Sequence, residues 1–240
     1  MANALCRQDL VVNQFTSGQT RHLFKRLFRR TGVFFGILIG ATSLLCAQGA
    51  SAAANRPQTL MLYGDSLMAG YGLSHEDGFA PRLEAALRDA GHDVKVINSS
   101  VSGDTTAAGL ARLDWALADN PDIVLLELGA NDALRGIEPA QTRANLMEIV
   151  GKLRDRDVVV LLAGMVAPPN MGKEYGDEFN GIYPDLATQY QIDFYPFFLD
   201  GVAANSALNQ DDGMHPNADG VKIIVERILP QVVNVLGAGS

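Results

Sequence analysis

The apolar positions of this chain follow two alternating periods. Short apolar runs occur at 59–63 (TLMLY), 94–98 (VKVIN), 123–128 (IVLLEL), 158–163 (VVVLLA) and 192–195 (IDFY). Runs of this length predict strands, and those apolar at successive positions predict strands covered on both faces. Between and after them the spacing becomes helical. Over 78–90, Phe79, Leu83, Ala86, Leu87 and Ala90 share one face, and Gly91 closes the segment. Over 105–117, Leu110, Leu113 and Leu117 fall in register. Further helices are predicted over 140–153, 178–190 and 218–236. Strand followed by helix, five times over, predicts an α/β domain with three layers, in which helices cover both faces of a doubly wound sheet of five parallel strands. No internal repeat, low-complexity tract or linker interrupts it. Ligands of such sheets bind beyond the carboxyl ends of the strands, so polar clusters that follow strands are the candidates for chemistry.

Residues 1–54 break the pattern. A basic stretch, Arg21 to Arg30, leads into an apolar run at 33–46 (VFFGILIGATSLLC) and then into small residues (AQGASAAA). Basic, apolar, then small is the layout of a secretory signal, with cleavage expected after Ala52 or a neighbouring Ala. The run is shorter than the roughly 20 apolar residues that span a bilayer. The expected organisation is a signal peptide and extension over 1–54 and one domain over 55–240. The mature protein is expected to be exported, periplasmic or secreted, without stable membrane insertion.

Composition narrows the partners. Hydrophobic residues make up 48% of the 240 and charged residues 19%, which is globular rather than disordered. Six of the 19 Lys and Arg, and one of the 27 acids, lie in the first 52 residues, leaving 13 bases against 26 acids. A body that acidic repels phosphate backbones and anionic membranes, so nucleic acid is excluded as a partner. Both cysteines, Cys6 and Cys46, precede the domain, which therefore has no disulfide, thiol nucleophile or Cys-ligated zinc. No apolar helix face is left over, and a monomer is expected.

Four polar clusters follow strands or lie near the carboxyl terminus. Gly64-Asp65-Ser66-Leu67, after the first strand, can present a hydroxyl at the sheet edge, or can be an ordinary turn. Asn98 to Thr105, after the second, carries backbone N–H groups and Gly103 for close approach to an anion, and also a helix N-cap at Asp104 or Thr105. Gly129-Ala130-Asn131-Asp132, after the third, offers an amide that donates without carrying charge, or a turn Asn. In Asp212-Gly213-Met214-His215-Pro216-Asn217 a carboxylate three residues before an imidazole can fold back onto Nδ1, leaving Nε2 to accept a hydroxyl proton. The other histidines of the domain, His75 in a polar loop and His92 in a helix-to-strand turn, have no ligand-spaced partners, so no metal is expected. Walker and dinucleotide fingerprints are absent, so no cofactor is expected, and there is no G-x-S-x-G elbow. Nucleophile, base, orienting acid and oxyanion donors together satisfy the roles needed for acyl transfer.

These four blocks, GDSL at 64–67, SGDT at 102–105, GAND at 129–132 and DGMHPN at 212–217, resemble in content and order those of the SGNH, or GDSL, hydrolases. Supporting stretches extend the resemblance over nearly the whole chain from Thr59 onward. It implies a flavodoxin-like three-layer fold and hydrolysis of a small-molecule acyl ester or thioester, of the arylesterase, acyl thioesterase or lysophospholipase kind. It implies Ser66 as nucleophile, His215 as base and Asp212 as its orienting acid. It implies an oxyanion hole from the N–H groups of Ser66 and Gly103 and the Asn131 side chain. An acyl pocket would be bordered by Met165, Val166, Ala167 and Pro168, while Asp65 and Asp132 shape loops. Two other readings use the same residues: a carbohydrate acetylesterase of this fold, and a non-catalytic binding domain that keeps it.

Overall fold

The structure is a computed structural model that describes residues 56–238. The signal segment expected over 1–54 lies outside the described residues. The chain runs β1 (Gln58–Tyr63), α1 (Ser66–Ala69), α2 (Phe79–Asp89), β2 (Val94–Asn98), α3 (Thr106–Ala116), β3 (Ile123–Leu126), α4 (Ala130–Leu134), α5 (Pro139–Arg154), β4 (Val159–Ala163), α6 (Lys173–Tyr190), β5 (Asp193–Tyr195) and α7 (Ala218–Ala238). The five strands are all parallel, in the order β2-β1-β3-β4-β5. Met61 of β1 sits between Ile97 of β2 and Val124 of β3.

This order decides where a site can form. The chain steps outward from β1 to β2, then returns past β1 to β3 and continues to β4 and β5. Right-handed crossovers then put α2 on one face and α3, α5 and α6 on the other. Packing agrees: α2 lies against α7, α3 against α5, and α5 against α6. The connections after β1 and β3 diverge to opposite faces and open a crevice at the carboxyl ends of these two strands. Between the layers, Met61, Leu62, Tyr63, Val124, Leu125, Leu126 and Leu162 are fully buried. β3 reads Ile-Val-Leu-Leu with every residue buried, as a central strand covered on both faces requires.

The apolar spacing locates the five strands and five long helices, and misplaces some boundaries. The run expected to be a strand to Leu128 leaves the β4 ladder after Leu126 pairs with Leu162. Beyond that point Glu127 turns its carboxyl inward. α6 begins at Lys173 rather than near 178: Lys173, Glu174, Gly176 and Asp177 are polar or small, and Tyr175 alone extends the apolar face by stacking on Phe179. The one-turn helices α1 and α4 are too short to show a period at all. Among the described residues no helix is long and apolar enough to cross a membrane.

Leu125 lies at the centre of β3 with no exposed surface. Leu125→Ala is expected to lower unfolding free energy by about 2–5 kcal/mol, read from urea denaturation of wild type and variant.

Candidate active site

β1 ends in a turn that sets Ser66 at the first residue of α1. The Asp65 carboxylate caps that helix by accepting the Leu67 N–H at 3.0 Å through Oδ1, while its Oδ2 accepts one hydrogen of the Asn131 amide at 2.9 Å. Asp65 has no exposed surface. Burial pushes its carboxyl up to about 6, against the pull of those two donors. Beneath it lies a second carboxyl, Glu127, whose Oε2 accepts the Asp65 N–H at 3.3 Å and whose Oε1 has no partner. Burial first, and the charge of Asp65 second, raise the Glu127 carboxyl well above its ordinary value. Gly64 is obligatory here, since a Cβ would stand 2.6 Å from the Glu127 carboxyl and 2.8 Å from its backbone oxygen.

The loop after β2 turns sharply at 101–104, closed by the Asp104 N–H on the Val101 carbonyl at 3.1 Å. Its third residue, Gly103, has φ +85°, a conformation open to glycine at little cost. Thr105 caps α3, accepting the Ala108 N–H at 3.3 Å, and Asp104 instead pairs with Arg112. The same guanidinium donates to the carbonyls of Ser99 and Gly64 and lies 4.1 Å over the Tyr63 ring. One side chain thus ties together the ends of β1 and β2 and the turn that carries Gly103. Asp132, fully buried, accepts the Thr106 N–H at 2.8 Å and the hydroxyls of Thr106 and Thr142, which joins α4 to the start of α3.

The third part of the site comes from a hairpin before α7. Asn209 bridges Pro216, and the Gln210 N–H donates to the His215 carbonyl at 2.7 Å. Asp212 folds back as the local spacing suggests. Its Oδ1 accepts the N–H groups of Met214 at 2.9 Å and His215 at 3.0 Å, and its Oδ2 meets His215 Nδ1 at 2.6 Å. These bonds, led by the His215 N–H, hold the Asp212 carboxyl down to about 2. Beside an ionised Oδ2 the neutral form of an imidazole carries its hydrogen on Nδ1, which leaves the lone pair on Nε2. Nε2 lies 2.9 Å from Ser66 Oγ, across 149 residues of sequence.

The structure therefore brings Ser66, His215 and Asp212 into one hydrogen-bonded line. Around Ser66, Asn131 keeps a second amide hydrogen beyond the one given to Asp65. The N–H groups of Ser66 and Gly103 donate to no other group of the described residues. Met165 and Ala167 are buried in the core, Val166 is exposed and Pro168 partly so. His75 lies exposed in a 3₁₀ turn and His92 is half-buried beyond α2, and neither touches the Ser66–His215 pair. Among the described residues no group of three or more His, Cys, Asp or Glu could hold a metal ion.

Four residues that matter here escaped the sequence reading. The Tyr71 ring lies 4.5 Å from the His215 ring, tilted by 37°. Gln210 Nε2 gives one hydrogen to the Tyr71 carbonyl at 2.8 Å and the other to the Pro216 carbonyl at 2.9 Å, clasping the hairpin to the loop after α1. Nothing local marks either one. Glu127 and Arg112 did carry a signal: an acid inside an apolar strand, and a cation on the buried face of a helix.

The chain is similar to a family of known proteins. The GDSL-like Lipase/Acylhydrolase family matches residues 62–223. The chain is 42% identical over 187 residues to an arylesterase of Vibrio mimicus, covering 78% of this chain and 94% of that one. It is 39% identical over 175 residues to the thioesterase 1/protease 1/lysophospholipase L1 of Escherichia coli (strain K12), covering 72% and 83%. Among solved structures it is similar to the psychrotrophic esterase EstA of Pseudoalteromonas sp., inhibited by monoethylphosphonate. That match has a TM-score of 0.72 and 32% identity, and covers 75% of this chain and 99% of that one.

Gln210→Leu is expected to lower kcat by about 10- to 100-fold with little change in KM, because it loosens the imidazole against the hydroxyl without touching substrate. Steady-state kinetics on a soluble ester checks this. Asp212 has its carboxyl depressed in the folded chain, so it adds stability above its ordinary value near 3.8 that is lost as pH falls through about 2. Melting temperatures of wild type and Asp212→Asn should therefore converge between pH 5 and pH 2.

Proposed function

The chain belongs to the GDSL-like lipase/acylhydrolase family, and from that membership we propose that it hydrolyses carboxylic esters and thioesters through an acyl-enzyme on Ser66. The observation that carries the reading is the 2.9 Å contact of His215 Nε2 with Ser66 Oγ, backed by the ionised Asp212 on Nδ1. Ser66 Oγ attacks the acyl carbonyl carbon as Nε2 takes its proton. The carbonyl oxygen becomes an oxyanion that accepts from the Ser66 N–H, the Gly103 N–H and the second hydrogen of the Asn131 amide. Collapse breaks the bond to the leaving alcohol or thiol, which takes the proton from His215. Water then attacks the acyl-serine by the same relay and releases the acid. Asp212 balances the imidazolium at each step without taking a proton itself.

In this reading the donors are fixed before substrate arrives, which is where such sites gain most. Their dipoles need not reorganise as charge develops, and the Asp65–Glu127 pair beneath holds the nucleophile turn still. The named activities of the relatives, arylesterase and thioesterase 1/lysophospholipase L1, support ester and thioester substrates for this chain. The layout of 21–54 supports export to the periplasm or the medium, and an intact mass beginning near Ala53 would show the processing.

Ser66→Ala should lose nearly all turnover of p-nitrophenyl acetate while keeping the wild-type unfolding midpoint. Asn131→Ala should lose about 100- to 1,000-fold in kcat, the usual effect of removing one oxyanion donor. A fluorophosphonate should label Ser66 and no other serine, read by peptide mass. Normal turnover in Ser66→Ala would overturn the assignment.

A further inference from the structure

Seven large apolar side chains stand out into solvent among the described residues. Five of them, Tyr71, Val101, Leu134, Val166 and Met214, are each about half exposed and follow the carboxyl ends of strands or lie in the hairpin before α7, four on loops and Leu134 at the end of α4. Scattered exposed apolar residues are ordinary, but these are not scattered. Tyr71 lies against the His215 ring. Met214 separates Gly213 from His215 in the hairpin, and Val101 opens the turn that carries Gly103. Leu134 ends the short helix that carries Asn131, and Val166 follows β4. Every loop that supplies a group to the proposed reaction also turns one apolar side chain outward.

We propose that this ring docks the enzyme onto a lipid surface of zero net charge, from which Ser66 draws its acyl substrate. The inference rests on the ester-hydrolase reading and adds to it the physical state in which substrate is met. A protein seated on the ring would seal Ser66 away from substrate, whereas a surface made of substrate supplies it. Charge selects the kind of surface. Residues 53–240 carry 13 bases against 26 acids, and Asp211, Asp212 and Glu138 lie within four residues of Met214 or Leu134 in the chain. Arg135, next to Leu134, is held on the Gly103 carbonyl at 2.8 Å. Anionic lipid is therefore repelled, and apolar insertion supplies the attraction. The loops are already braced. The Val101 N–H donates to the Gly64 carbonyl at 3.0 Å, Tyr175 holds the Ile137 carbonyl at 2.7 Å, and Gln210 holds Tyr71. Docking then has little loop ordering to oppose it.

The test is sedimentation of the protein with vesicles of diether phosphatidylcholine, which has no ester to cleave. Wild type is expected to pellet with the vesicles. The partition coefficient should fall at least tenfold in the Val101→Ser/Leu134→Ser double variant, whose unfolding midpoint is measured to confirm that it folds. Mixing in one third diether phosphatidylglycerol should weaken wild-type binding. Wild type that stays in the supernatant, binds only the anionic mixture, or pellets equally with and without the two substitutions overturns the proposal. So does a wild-type dimer that the double variant dissolves while vesicles go unbound, for the ring then belongs to a second copy of this chain. Hydrolysis of p-nitrophenyl acetate, below any aggregation of substrate, is assayed separately. If it proceeds without vesicle binding, the docking surface fails and the hydrolase reading stands.

Discussion

A side-chain amide holds the two ends of this site together. Ser66 belongs to the first strand-to-helix turn, and His215 to a hairpin just before the last helix. No ladder hydrogen bond connects those segments. Gln210 does, by spending both hydrogens of Nε2 on the carbonyls of Tyr71 and Pro216, while its backbone N–H holds the carbonyl of His215. Gly72 leaves the space this requires, since a Cβ there would stand 2.2 Å from Gln210 Oε1. The tilted Tyr71 ring then limits how far the imidazole can swing. The proposed proton transfer over 2.9 Å depends on that restraint, because rates fall steeply when reacting atoms drift by an ångström.

Below the surface the site rests on an unusual concentration of buried polar groups. Asp65, Asp104, Glu127 and Asp132 are all nearly or wholly inaccessible. Each is accommodated differently. Asp104 is paired with Arg112, Asp132 accepts three hydrogen bonds, and Asp65 accepts two. Glu127 has its carboxyl pushed well above the ordinary value by burial, which favours the uncharged form. These groups would be poor choices for a core built for stability alone. Their geometry is more informative: they orient the Asn131 amide, brace the turn that carries Ser66 and anchor the loop around Gly103.

Electrostatics and hydrophobicity act on different scales around this rim. The excess of acids over bases keeps polyanions away from the whole body. Within that field, the outward apolar side chains mark a small region where an acyl chain or a neutral lipid meets less resistance than charge does. The same loops thus carry the polar groups that face inward to Ser66 and the apolar ones that face away from it.

The architecture was legible in the residues because it follows from local periodicity. Apolar strands alternating with one-faced helices admit few arrangements, and the parallel sheet is one of them. The fold-back of Asp212 on His215 was legible for the same reason, being a relation across three residues. Thr105 rather than Asp104 as the cap of α3 was not, since Asp104 is drawn away by an arginine eight residues along. Glu127 and Arg112 broke the local pattern visibly, yet what they contact lies on other strands. Tyr71 and Gln210, 139 residues apart, broke no pattern. Only the strand order, which returns the chain past β1 to β3 and leaves a crevice between them, brings such distant residues within hydrogen-bonding reach. Sequence periodicity acts over a turn or two of chain, whereas the positions of these atoms are decided by packing between layers.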